Sequence, residues 1–492
     1  MIKTPEQYKE SLKKMRPNIY KFGKLIEDVT THPATKRCVN SHAKAFEAAQ
    51  DTKYQDLVTA ESKLIGEKVM RWLTVMETPE DVIKNCNFKR LMYNLTGTCT
   101  GALCVGWNCL QSMWATTYEI DQNEGTDYHQ RLRKWLEYAQ RNAITVAGAL
   151  TDPKGNRALS PSQQKDPDLY LHIVEERDDG IVVRGAKVMI AGVAAANEIF
   201  VMPTTSLREE DKNYAVSFVV PRDAEGITIV EARHPDDARE LEGDGYELPA
   251  TGTGITQAWI LFNDVFIPKE RVFMCGEWKY ALKAIIYFTS AYRALIGSCV
   301  AGQGDVMVGA AVLIARANGL SERTFREQLI KMVINNETTY GLGVAAATLG
   351  EKHPSGAWIP DALLANVNKV HVATLPYETK VLCEDIAGGI GETGCMPSWK
   401  DFQNEEYGKL LEKISYSCIP RRNKSKNCIF NSIVNLWRRN TWLYARRRFS
   451  CSSKTHDKSN SKMETIHGIR SKTRRNQKRR HTRTIKIKIV TK

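Results

Sequence analysis

The spacing of hydrophobic residues changes twice along the chain, and this constrains the fold more than any other feature. Up to about residue 150, apolar residues recur every three or four positions, as in SKLIGEKVMRWLTVMETPEDVIKNC (62–86), the period of an amphipathic helix. From about 151 to 274 the pattern shortens to β-rich runs cut by turn residues: LYLHIVEERDDGIVVRGAKVMI, EIFVMPTT, YAVSFVVPRDAEGITIVEA and AWILFNDVFIP. Asp178, Asp179 and Gly180 read as a hairpin turn between two of them. Helical spacing returns at about 275 in DVMVGAAVLIARANG, TFREQLIKMVINNETTYGLGVAAATLG and ALLANVNKVHVATLPYETKVLCEDIAGG. The predicted fold class is α+β: an N-terminal helical domain (1–150), a central β domain (151–274) and a C-terminal helical bundle (275–413).

With 492 residues and 42% hydrophobic content, the chain can fill one large core or two to three packed domains. No apolar run reaches the roughly 18–20 residues of a membrane span, and MIKTPEQYKESLKKM lacks the apolar stretch of a signal peptide. A cytoplasmic location without membrane contact is therefore expected. The net charge of +14 is confined to one end: residues 414–492 carry +21 and the preceding 413 residues carry −7. This tail has a single alanine, Ala445, and a single glycine, Gly468. It reads either as a basic arm that neutralises phosphates or as sequence not selected for folding, such as an out-of-frame extension. WRRNTWLYARRRFSC, with its Trp, Leu, Tyr, Phe and Cys, favours the second, so nucleic acid is not the expected partner.

Twelve cysteines scattered through so long a chain do not form a secreted disulfide framework. Three of them, Cys99, Cys104 and Cys109, stand five apart in GTCTGALCVGWNC (97–109). The spacing leaves open a metal site, a reactive thiol or three small buried side chains, since free cysteine is among the most buried residue types. In TDPKGNR (151–157), Thr151 and Asp152 offer short polar groups and Pro153 and Gly155 shape a turn. Lys154 and Arg157 supply donors for electron-rich oxygens. TGTG (251–254) is too short for a dinucleotide fingerprint and reads as a loop. His129 in TDYHQR is either an acid–base group or a hydrogen-bonded structural histidine.

TTYEIDQNEGTDYH (116–129), residues 149–187, YAVSFVVP (214–221), FNDVFIPKERVF (262–273) and EDIAGG (384–389) carry a family likeness. Together they resemble the 4-hydroxybutyryl-CoA dehydratase branch of the 4-hydroxyphenylacetate 3-hydroxylase flavoprotein family, from about Thr4 to Lys413. The resemblance implies an acyl-CoA dehydrogenase-like architecture and a bound FAD. It places the flavin on Thr151, Asp152, Pro153, Lys154 and Arg157, with a second contact at Gly388 and Gly389 that a neighbouring subunit often supplies. Against that second contact stands an ordinary glycine helix cap. It further implies a homotetramer, an acyl-CoA substrate and a [4Fe–4S] cluster held by three cysteines and one histidine.

The cysteine positions of that cluster correspond to Cys99, Cys104 and Cys299, but the sequence departs from the pattern. Four residues, not three, separate Cys99 from Cys104, and on a helix positions five apart are rotated by roughly 140°. The histidine position holds Tyr292, and nearby tyrosine and lysine positions read Ile296 and Val300. A phenol is a poor iron ligand near neutral pH. Three functions follow from the resemblance and these departures. One is FAD-dependent dehydration or isomerisation of a 4-hydroxyacyl- or vinylacetyl-CoA; the others are a cluster-free flavin-dependent hydroxylase and a non-catalytic paralogue.

Overall fold

Helix starts follow local capping chemistry. Helix α1 (Pro5–Lys13) opens on a Thr4/Gln7 capping box with proline in its first turn. The hairpin β1 (Ile19–Lys21) and β2 (Lys24–Ile26) follows, then α2 (Pro33–Gln50), α3 (Gln55–Val58) and a second hairpin, β3 (Thr59–Glu61) with β4 (Lys68–Met70). Helix α4 (Pro79–Thr96) repeats the device, with Thr78 and Asp81 as the box and Gly97 closing its C-terminus at φ +64°. Helices α5 (Gly101–Glu124) and α6 (Tyr128–Arg141) complete this section. The computed structural model describes residues 2–233, 252–389, 397 and 399–414; both readings of the tail beyond Ile414 concern residues outside these.

The β section comprises β5 (Val146–Ala149), β6 (His172–Arg177), β7 (Gly180–Ala191), β8 (Glu198–Val201), β9 (Val216–Pro221), β10 (Ile227–Glu231), β11 (Gln257–Pro268) and β12 (Val272–Cys275). Asp178 and Asp179 form the expected turn, with Arg177 paired to Gly180. One sheet has the order β2-β1-β10-β11-β7-β6 and the other β12-β9-β8-β5. The N-terminal section is thus not purely helical: β1 joins the large sheet in parallel to β10, and β5 lies parallel to β8. Three-residue strands give almost no periodic signal, so their pairing is set by tertiary packing.

The last section holds α7 (Ala281–Ala317), α8 (Arg326–Thr348), the small hairpin β13 (Glu351–Lys352) with β14 (Trp358–Ile359), α9 (Ala362–Val372) and α10 (Leu375–Ala387). Contrary to the sequence expectation, one stretch, Trp278–Ala317, is long and apolar enough to cross a membrane. The charges Lys279, Lys283, Arg293 and Asp305 interrupt its apolar runs. Its most apolar window is 67% buried inside the protein, as in a core helix.

One apolar core runs from Tyr8 through all three sections to Ala347. Its spine is a chain of rings: Tyr8 stacks on Phe46 at 4.7 Å, Phe46 meets Trp72 edge-on at 5.3 Å, and Phe88 lies between Trp72 and Trp107 at 6.3 Å from each. Both indoles are satisfied, Trp72 by the Ile144 carbonyl and Trp107 by that of Thr74. Helix α5 lies directly on β5, because a Cβ at Gly106 would fall 2.2 Å from the Val146 carbonyl oxygen.

His42 on α2 is fully buried, and its Nδ1 lies 2.8 Å from the Cys38 carbonyl oxygen, so that nitrogen carries the proton in the neutral ring. Burial holds the imidazole down at about 4. Its folded pKa lies below the unfolded value, so the stability it contributes is complete above about pH 6.5 and lost as the pH falls toward 4. The loss should be about 3 kcal/mol. Urea midpoints measured from pH 7 to pH 4 should fall steeply in the wild type and less steeply in His42→Gln.

Candidate functional site

Cys299 sits near the middle of α7, and α7 closes on α4 through Gly302. A Cβ at that glycine would lie 2.8 Å from Tyr93 Cβ and 2.9 Å from the Arg90 carbonyl oxygen. Arg90 holds the same contact with charge, pairing with Asp305 of α7 at 2.7 Å and Glu337 of α8 at 2.6 Å. Lys89 is thereby fixed beside the middle of α7.

The link from α4 to α5 is pinned from three directions. The Gly97 N–H caps the Tyr93 carbonyl at 2.7 Å, and the Thr96 hydroxyl bonds to the Met92 carbonyl at 2.7 Å. Thr253 donates to the Thr96 carbonyl at 2.6 Å. TGTG thus ends in loop residues, as expected, and they brace this link.

Helix α5 begins only at Gly101, so Cys99 precedes the helix and Cys104 occupies its first turn. The rotation expected for two helical positions five apart therefore does not apply. Cys299 hydrogen-bonds to both Cys104 and Cys99, so the three sequence-predicted thiols are brought together. Cys99 is half-buried, whereas Cys104 and Cys299 are buried.

Lys89, which sequence reasoning missed, completes the cluster. It is 3% exposed, and its Nζ donates to Cys104 Sγ at 2.7 Å. A chain of hydrogen bonds therefore runs Lys89–Cys104–Cys299–Cys99 from the interior to the half-exposed thiol. The signal was present in the sequence: Lys89 shares the buried face of α4 with Cys86, Met92, Tyr93 and Thr96, where a lysine is out of place. The bond to Cys299, with burial, keeps the Cys104 thiol well above its ordinary range. At Cys299 the bond from Cys104 pulls downward but is outweighed by the bond to Cys99 and by burial, leaving it at about 11. Lys89 is held above the usual lysine value because the neighbouring Cys104 and Cys299 sulfurs outweigh desolvation.

The cluster continues along α5 toward the 151–157 loop. Cys109 is fully buried, and its thiol is raised by burial against the pull of the nearby Lys187 ammonium. Lys187 in turn pairs with Asp152 at 2.7 Å, both side chains at most a tenth exposed, and bonds the Leu150 carbonyl at 2.9 Å. Asp152 is thus the buried anchor of the loop. Gln164 clamps its far side, accepting from the Asn156 N–H and donating to the Asn156 carbonyl, each at 2.9 Å. Gly155 adopts φ +50°, and a Cβ there would strike Leu169 and Gln164. Thr151 and Pro153 are half-buried, while Lys154, Asn156 and Arg157 face outward. A rigid turn presenting cationic and amide donors fits an electron-rich, anionic cofactor such as FAD.

The remaining predicted positions lie elsewhere. Gly388 caps α10 at φ +72°, and a Cβ at Gly388 or Gly389 would meet nothing within 4 Å. Both glycines are exposed and open to approach from outside the chain. His129 is half-buried at the far end of α5, bonded through Nδ1 to Thr117 at 3.0 Å and packed on Trp114 and Tyr118. Desolvation lowers its pKa. Thr117 is thirteen residues beyond Cys104, roughly 20 Å along the helix, so His129 does not join the thiols.

The cysteine set does not fit a cluster of three cysteines and one histidine. Cys104 already accepts from Lys89, and the thiols bond one another. Tyr292, at the histidine position, stacks on Phe288 at 5.3 Å and packs with Ile296, Val300 and Val372. Among the described residues no group of three His, Cys, Asp or Glu side chains is arranged to hold a metal ion.

Sequence and structure comparisons locate the chain. The profile of the 4-hydroxyphenylacetate 3-hydroxylase N-terminal region matches residues 4–274, and that of the C-terminal region matches 282–419. The chain belongs to the 4-hydroxyphenylacetate 3-hydroxylase family. Within it, the chain is 42% identical to 4-hydroxybutyryl-CoA dehydratase/vinylacetyl-CoA-Δ-isomerase of Clostridium aminobutyricum over 407 residues, 82% of each protein. An oxygen-tolerant archaeal 4-hydroxybutyryl-CoA dehydratase from N. maritimus superimposes with a TM-score of 0.86 at 33% identity, covering 95% of both chains. The oxygenase component of 4-hydroxyphenylacetate 3-monooxygenase, solved with FAD, matches with a TM-score of 0.77 at 20% identity, over 96% of this chain and 99% of that one. The α+β, acyl-CoA dehydrogenase-like arrangement expected from sequence is the family's fold.

Lys187→Met should leave the Asp152 carboxylate buried and unpaired. A loss of about 3–5 kcal/mol in unfolding free energy is expected from breaking such a pair. Denaturant titration checks it, and Lys187→Met/Asp152→Leu should recover most of the loss.

Proposed function

We propose that the chain is an FAD-dependent enzyme that dehydrates or isomerises a 4-hydroxyacyl- or vinylacetyl-CoA. The observation that carries the reading is the continuous line from the Cys99–Cys299–Cys104–Lys89 cluster through Cys109 and Lys187 to the 151–157 loop. The 42% identity to the clostridial dehydratase supports the same substrate class. FAD, when bound, supplies electron transfer to and from the acyl chain. Thr151, Asp152, Pro153, Lys154 and Arg157 would hold it, with Asp152 locked by Lys187 and Arg157 on the exposed side of the loop. His129, so far along α5, is a hydrogen-bonded structural residue in this reading.

Purified chain reconstituted with FAD should take up one flavin. Arg157→Ala should weaken uptake by about 1.5–3 kcal/mol, the worth of a charge-assisted hydrogen bond. Turnover of 4-hydroxybutyryl-CoA to crotonyl-CoA, followed by chromatography, tests the activity. Iron should fall well below four per chain. Failure to bind flavin would refute the reading, while flavin uptake with hydroxylation of 4-hydroxyphenylacetate would favour the oxygenase alternative.

The chain is further proposed to act in the cytoplasm as a homo-oligomer built through its C-terminal helices. Ile330, Val333 and Ile334 on α8 are 46–52% exposed, and Leu363 and Val370 on α9 and Val381 on α10 exceed 60%. The exposed Gly388 and Gly389 would then be offered to a neighbouring subunit's flavin. Light scattering should give a mass of two to four chains; a monodisperse monomer would count against it.

A further inference from the structure

The three thiols of the cluster differ in exposure and in what holds them. Cys99 is half-buried and lies in the link before α5, outside the helix, where no helical ladder fixes its backbone. Cys299 is buried near the middle of α7 and hydrogen-bonds to Cys99. Cys104 is buried as well, sits in the first turn of α5 and already accepts from Lys89. A thiol that solvent reaches is therefore in direct contact with one that solvent does not.

Such a pair becomes a disulfide once one member is oxidised, because a cysteine sulfenic acid condenses with a neighbouring thiol. Access decides which member is oxidised. Buried thiols in apolar surroundings are inert, so a small oxidant meets Cys99 before Cys104 or Cys299. Contact decides which member resolves it: Cys299 is already within hydrogen-bond range and reacts as an intramolecular partner. Cys104, held in a helical turn and bonded to Lys89, is less able to move toward Cys99. Cys275 on β12 is also half-buried, but the groups that act on it are Glu176, Glu277 and Arg131 rather than another thiol.

We infer that Cys99 and Cys299 are a site of reversible oxidation by hydroperoxides, Cys99 being the thiol attacked and Cys299 the one that closes the disulfide. The Cys99 sulfur attacks one peroxide oxygen and the O–O bond breaks. Cys99 becomes a sulfenic acid, and the other oxygen leaves as water, or as an alcohol from an organic peroxide, with the proton that Cys99 gave up. The Cys299 sulfur then attacks the Cys99 sulfur, the S–O bond breaks, and the hydroxyl leaves as water with the Cys299 proton. The pair of thiols has lost two electrons, which the peroxide has accepted. The new bond fastens the α4–α5 link to α7. This site is independent of the acyl-CoA reading and stands whether or not the chain turns over a thioester.

The test uses the full chain, reduced, freed of reductant and treated with stoichiometric hydrogen peroxide. It is then quenched in acid, alkylated in denaturant and mapped by mass spectrometry of unreduced peptides, with iron assayed on the same sample. The wild type should lose a pair of free thiols and yield a peptide cross-linked through Cys99 and Cys299, and dithiothreitol should restore both thiols. Cys99→Ser should abolish the cross-link and leave Cys104 and Cys299 alkylated. Cys299→Ser should leave Cys99 as a sulfenic acid that dimedone traps, and Cys104→Ser should keep the cross-link. Should a variant not fold, the wild-type map decides. Cys299 still fully alkylated after peroxide, a cross-link that joins Cys104 and Cys299 with Cys99 left free, or bound iron that must leave before any cross-link forms would overturn the inference.

Discussion

The closure of α7 on α4 at Gly302 is the contact on which the rest of the site depends. Helix α7 is long, apolar and mostly buried, and a helix of that kind can be placed only where neighbours accept it on several sides. Helices α4, α5, α8, α9 and α10 do so. Where α4 meets α7, the missing side chain at Gly302 and the Arg90–Asp305 pair hold the two helices at short range. Cys299 and Lys89 are near one another as a consequence of packing, before any chemistry is considered.

That packing also explains the electrostatics. Burial raises the thiols, since it disfavours thiolate, and it raises the stakes for every polar group left without a partner. Asp152 and Lys187 answer this by pairing with each other. Lys89 finds only sulfur. One buried lysine fastens the cofactor loop through a carboxylate, and the other ties α4 to the thiols of α5 and α7 through sulfur.

Much of this was legible in the sequence, and the residues that were not share a cause. Thr78, Pro79 and Gly97 announce the ends of α4 by local chemistry, and Asp178–Asp179 announces a hairpin, because caps and turns depend on neighbours in the chain. The thiols could be nominated from motif context, and their convergence follows from the fold. The start of α5 was not legible: Thr100 makes no side-chain cap bond, so nothing local marks Cys99 as lying outside the helix. Lys89 was legible only as an anomaly on an apolar face. Its meaning required α7, more than two hundred residues away, and the pairing of β1 with β10 is non-local in the same sense.

Helix α5 acts as a ruler across the molecule. Its first turn carries Cys104 into the thiol cluster, its third brings Cys109 beside Lys187, and its last turns carry Thr117, which holds His129, and Glu119, which holds His353 and Tyr287. The thiol cluster and the anchor of the cofactor loop therefore share the N-terminal third of one rigid element, and the histidines gather at the other end. Because α5 also rests on β5 with no room for a side chain at Gly106, it cannot slide or rotate by even a fraction of a turn without displacing the strand. Thiols and loop are then fixed relative to each other by the backbone itself, the preorganisation that a bound cofactor beside a substrate pocket requires.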